Sequence, residues 1–184
     1  MFENLKSSAK ELKNVQNMVI CAMLMAISMA IHTYSIDINE NVRIGFSFVA
    51  NNLAYMLFGP ITGAIFGGVK DILNYIIKPV GTFFPPITIV EMLTGFIYGL
   101  ILYKKPHSFL RILVAHAVVA VVINITLRTG CLYLLNGKSA IAAMPLRITK
   151  NLIMFPINAC IFYGVTLVLK QAKLIPAPTR KIIK

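Results

Sequence analysis

The sequence predicts an all-α integral membrane protein of six transmembrane helices, forming a single membrane domain over residues 1–184. Three observations lead there. Apolar residues make up 58% of the chain, where soluble domains carry ~45–50%. Charged residues make up 13%, about half the usual ~25%. The apolar residues gather into runs close to the ~20 that cross a hydrocarbon layer, and the mean hydropathy is +0.78. Disorder and an ordinary soluble globule are excluded, and the apolar runs leave no room for a separate soluble domain.

The first segment spans 15–36, rich in Met and Ala. Lys6, Lys10 and Lys13 precede it in the manner of a signal peptide, but the run is long for one and further segments follow, so it is read as a retained helix. The second, 44–58, ends at the turn Phe58-Gly59-Pro60, and the third runs over 61–77. Lys78 to Pro86 holds the Pro and Gly of a loop before a fourth segment at 87–103. The basic loop Lys104-Lys105-Pro106-His107 leads into a fifth at 109–135, and a sixth covers 148–169. Because the second segment is short, five crossings plus one re-entrant segment is the alternative.

With the N-terminus inside, eleven Lys and Arg fall on the inner side and six on the outer (Arg43, Lys78, Arg128, Lys138, Arg147 and Lys150), which favours both termini cytoplasmic. Without Trp, any aromatic belt must come from Tyr34, Tyr75, Tyr103 and Tyr133 near the segment ends. The net charge of +12 flanks membrane runs and suits contact with lipid head groups; it forms no stripe of its own and gives no case for nucleic acid. Cys21, Cys131 and Cys160 are widely spaced in apolar runs, so neither a metal site nor a disulfide framework is expected. His32, His107 and His116 are isolated, and no hydrolase, metalloprotease or ATPase motif occurs. The chain is therefore read as a non-enzyme without a cofactor of its own, and any pumping needs a partner that consumes ATP.

Three constellations remain. Small-residue ridges occur at Ala22, Ala26 and Ala30, at Gly59, Gly63 and Gly67, and at Gly95 and Gly99. Such ridges let helices approach closely in lipid; the Gly ridges suit internal packing, and the Ala ridge suits packing or a partner. Lys70, Asp71 and Glu91 are charges at membrane depth, either an ion pair such as Lys70 with Glu91 or the polar floor of a cavity. Finally, Arg43 to Phe48, Gly81 to Pro85 and Arg147 to Asn151 open onto the outer side. Their cations, aromatic faces and amides suit a planar, heteroaromatic, anionic small molecule. The alternative is that these Phe face lipid while the cations reach head groups. The candidate binding residues are Arg43, Phe46, Phe48, Asn52, Thr82, Phe83, Phe84, Pro85, Arg128, Arg147, Lys150 and Asn151. If 46–48 is helical, Phe46 and Phe48 point about 200° apart and do not share a wall.

Around Arg43-Ile44-Gly45-Phe46-Ser47-Phe48 and Leu57-Phe58-Gly59-Pro60-Ile61-Thr62-Gly63-Ala64, the sequence resembles the substrate-binding (S) components of energy-coupling factor (ECF) vitamin transporters. Gly67 to Ile72, Gly81 to Pro85 and above all Arg147-Ile148-Thr149-Lys150-Asn151, continuing to Asn158, are similar to the folate-specific branch. The resemblance runs from about Val15 to Leu169 and departs at Pro85-Pro86, where a smaller residue is expected second. It implies the six-helix S-component fold in a prokaryotic plasma membrane and capture of folate or reduced folates near the outer surface. It also implies docking of Ala22, Ala26 and Ala30 onto a transmembrane coupling subunit that carries two ATPases, with the ridge at the end of the bundle away from the ligand. A sister component for another vitamin or a nucleobase-like compound is the alternative.

Overall fold

The computed structural model describes residues 2–12, 14–39, 42–79, 82–105, 108–137 and 144–171. Helix α1 (Phe2–Glu11) precedes α2 (Val15–Thr33). A short antiparallel hairpin follows, β1 (Ile36–Asn39) on β2 (Val42–Ile44). Then come α3 (Phe48–Ile77), α4 (Pro85–Leu102) and α5 (Phe109–Val118). Helix α5 continues through a π-helical stretch, Val119–Leu127, into α6 (Arg128–Asn136), and α7 (Met144–Gln171) closes the described chain.

Among the described residues, five stretches are long and apolar enough to cross a membrane: Val15–Thr33, Phe48–Ile77, Pro85–Leu102, Phe109–Leu135 and Met144–Gln171. The second is divided into two arms. Gly59 breaks α3 with φ 84° and ψ −171°, a backbone conformation that glycine adopts without a Cβ clash, and Pro60 follows it. In a straight helix Tyr55 and Phe66 would stand about 16 Å apart along the axis. Their rings meet edge to face at 5.7 Å instead, so the arms 48–58 and 60–77 run back along each other. The Phe58-Gly59-Pro60 turn therefore holds, and it leaves a first arm, 48–58, that is shorter than the ~20 residues of a full crossing.

Helix α1 holds that turn. Ser8, fully buried, donates to the Phe58 carbonyl at 2.7 Å and accepts from Ile61 N and Thr62 N at 3.1 and 3.2 Å. It thus serves the last turn of one arm and supplies an N-cap from a distant segment to the other, whose second and third amides have no partner within their own helix. Tyr103 packs beside it and donates to Glu11 at 3.0 Å. Burial pushes the Tyr103 phenol up to about 12, which keeps it a donor. Tyr103 is therefore part of this polar knot and not of a lipid-facing belt, whereas Tyr34 and Tyr133 are exposed at segment ends.

Glycines set the closest helix contact. A Cβ on Gly95 would lie 2.1 Å from the Gly63 carbonyl oxygen, and one on Gly67 would lie 2.5 Å from that of Glu91. The second arm of α3 and α4 thus meet backbone to backbone, the internal packing expected of these ridges. Beneath, Asn52 and His116 form a buried pair: the His116 Nδ1–H donates to the Ile112 carbonyl at 2.9 Å, and Nε2 accepts from Asn52 Nδ2 at 3.2 Å.

Several boundaries differ from the sequence reading. The first membrane helix ends at Thr33 and the second begins at Phe48, because residues 36–39 and 42–44 pair as strands between them. The fourth begins two residues earlier than read, with Pro85 and Pro86 in its first turn, where no amide partner is lost and φ is already helical. Both prolines therefore belong to the helix and not to the loop before it. The last helix starts at Met144, ahead of the expected 148.

Candidate functional site

At the end of the bundle away from α1, the helices part around a cavity of about 450 Å³, within the range of small-molecule sites. Its floor is ionic. Glu91, on α4, receives Lys70 Nζ at 3.1 Å on one carboxylate oxygen and the Arg128 guanidinium on the other. Lys70 comes from the second arm of α3, and Arg128 follows directly on the π-helical stretch, so three membrane helices are tied at one carboxylate. A wide π turn shifts the helical register, and such turns gather at functional sites. Lys70 with Glu91 is thus both an ion pair and part of a cavity wall.

Lys78 and Lys150 also line the cavity, as does Asp71, so its described lining carries two more cations than carboxylates. Asp71 accepts from Thr88 Oγ1 at 2.8 Å. Three buried side-chain oxygens on the lining have no hydrogen-bond partner among the described residues: Ser35 Oγ, Asn74 Oδ1 and Asn158 Oδ1. Buried acceptors left open in this way are costly, and their gathering in one cavity fits a ligand that donates to them.

Of the expected binding residues, Phe48, Thr82, Phe83, Phe84, Arg128, Lys150 and Asn151 lie on the cavity wall. Phe83 also packs on Tyr75, with ring centroids 5.2 Å apart. Phe46 stands outside the lining and is 58% exposed, while Phe48 turns inward at the start of α3, in line with the angle between them. Asn52 is also outside the lining; its amide is used on His116. Pro85 opens α4 behind Phe84 and is not on the wall. The side chains of Arg43, on β2, and Arg147, on α7, lie outside the described residues. The cavity draws in residues that the candidate set omitted, chiefly His32, Asn51, Asn74, Asn124 and Asn158. Polar residues recurring inside apolar segments were the signal available for these.

The family model for the substrate-specific component of ECF transporters matches residues 16–166. The chain belongs to that family. Two curated relatives are named folate transporter FolT. The one from Clostridium novyi is 33% identical over 83% of this chain and 89% of its own length. The one from Leuconostoc mesenteroides is 29% identical over 92% of each. Among solved structures, a crystal structure of FolT bound with folic acid superposes with a TM-score of 0.76 at 28% identity, covering 83% of this chain and 93% of that one. An S component of this family with five helices, among the described residues, long and apolar enough to cross a membrane is a multi-pass protein of the cell membrane.

In this S component Ala22, Ala26 and Ala30 are exposed along α2, while Ser28 and His32 on the same helix are buried. Residues two apart stand about 200° apart around a helix. The ridge therefore points away from the cavity by helix face. It is not separated from it by end, as expected from sequence, since His32 at the end of α2 lines the cavity.

Proposed function

We propose that this chain is the folate-binding S component of an ATP-driven ECF importer. It captures folate or a reduced folate in the cavity at the outer face, with both termini cytoplasmic, and delivers it by docking onto a transmembrane coupling subunit with two ATPase subunits. The observation that carries the reading is the cavity itself, with its surplus of two positive charges and its aromatic mouth, in a chain whose relatives are folate transporters. A folate has two carboxylates on its glutamate tail and a flat heterocycle at the other end. Lys78 and Lys150 suit the tail, with Arg147 one turn before Lys150 along α7 and Arg43 on the hairpin as further contacts. Phe48, Phe83 and Phe84 offer ring faces. The positive-inside count supports the placement of the termini.

Lys150→Ala tests the tail assignment. One charged hydrogen bond contributes ~1.5–3 kcal/mol, so folic acid should bind ~10–100-fold more weakly. Pteroic acid, which has the heterocycle and the benzoyl group but no glutamate, should lose little. Equal losses for both ligands in calorimetric titration would remove Lys150 from the tail site.

A further inference from the structure

The cavity holds two carboxylates in unlike situations. Both oxygens of Glu91 are engaged by cations, Lys70 and Arg128. Asp71, the next residue to Lys70, meets only the Thr88 hydroxyl, at 2.8 Å on Oδ2, and among the described residues no cation pairs with it. A carboxylate within a membrane helix is costly unless something compensates it. Thr88 fixes its rotamer and leaves lone pairs on both oxygens, because a carboxylate accepts about four hydrogen bonds. Asn74, one turn on along the same helix, and Asn158 of α7 each add a buried oxygen without a partner to the same lining. Asp71, Asn74 and Asn158 thus add open acceptor oxygens to a lining to which Lys78 and Lys150 contribute positive charge.

We infer that Asp71 determines which heterocycle the site accepts: its carboxylate receives the two parallel N–H donors of a 2-amino-4-oxo-pyrimidine edge, the amino group and the adjacent ring N–H. Two N–H donors side by side match a carboxylate fork as a guanidinium does. The Asn74 and Asn158 oxygens lie on the same wall to take the remaining amino hydrogen and the ligand's other donors. Glu91 is the brace that keeps Lys70 and Arg128 in place and is not the reader, since its oxygens are already occupied. A flat ring without the amino group takes one of the two ligand donors from Asp71 inside the filled cavity, and the site rejects it on that account. The inference rests on the folate reading above.

The test is a titration of the full purified chain in detergent with folic acid and with its 2-desamino analogue. The wild-type chain should prefer folic acid by ~10–100-fold, the effect of removing one hydrogen bond to a charged acceptor. Asp71→Asn retains the acceptor for Thr88; it should weaken folic acid by a similar factor and change the analogue by less than ~3-fold, so the preference collapses. Equal wild-type affinity for the two ligands overturns the inference without recourse to any variant, and so does an Asp71→Asn chain that retains the full preference. A wild-type chain that binds no folate at all overturns the functional reading instead.

Discussion

Ala26→Trp is expected to abolish ATP-driven folate uptake in vesicles holding the complete transporter, while folic acid binding by the isolated chain changes by less than about 3-fold. Ala26 is exposed on the face of α2 turned away from the buried Ser28 and His32. Helices in lipid associate largely by close packing at small residues, because lipid tails are as apolar as the side chains they replace. An indole on the ridge holds a partner helix several ångströms off and leaves the cavity wall unaltered. Normal uptake by the variant would remove the ridge from docking. Loss of ligand binding in the isolated chain would instead make the ridge part of the protein's own packing.

The second large effect is on stability. Gly95→Ala should lower the thermal stability of the purified chain, by roughly 1–3 kcal/mol as overpacking does. The added Cβ would stand 2.1 Å from the Gly63 carbonyl oxygen, a backbone atom that moves only if α4 and the second arm of α3 part. Those elements carry Glu91 and Lys70, so folic acid affinity should fall as well. Gly164→Ala is the control. Nothing lies within 4 Å of its Cβ position, and alanine is favoured over glycine in a helix by ~1 kcal/mol. The same substitution should thus have opposite signs at the two positions, read by melting in detergent. A Gly95→Ala chain as stable as the parent would mean that the contact is looser than described.

The pattern of apolar runs was enough to read an all-helical membrane domain, because run length is set by the bilayer and needs no tertiary information. Gly59-Pro60 marked the sharp reversal in α3 for a similarly local reason: one residue that tolerates positive φ, then one that starts a helix. What remained hidden depended on contacts distant in sequence. Helix α1 is held by Ser8, whose partners lie fifty residues away or more, and nothing within Phe2–Glu11 announces them. The π-helical stretch before Arg128 sits in a β-branched apolar run that reads as an ordinary membrane helix. The paired strands at 36–39 and 42–44 were read in part as helix ends because they are too short for alternation to be seen. In the cavity, cations and Phe were found through their density near segment ends, whereas Asn74 and Asn158 are single amides inside helices and look like tolerated polar residues until the fold brings them to one wall. Asn52 has the same appearance in sequence and turns to His116 instead.

The most direct test of the account is calorimetric titration of the purified chain, without its partners, against folic acid, thiamine, riboflavin and biotin. The account predicts one folic acid per chain and a preference over each of the other vitamins of roughly 100-fold or more, as expected of a site built on fixed polar partners. Absence of folic acid binding by folded protein, or tighter binding of another vitamin, would contradict it.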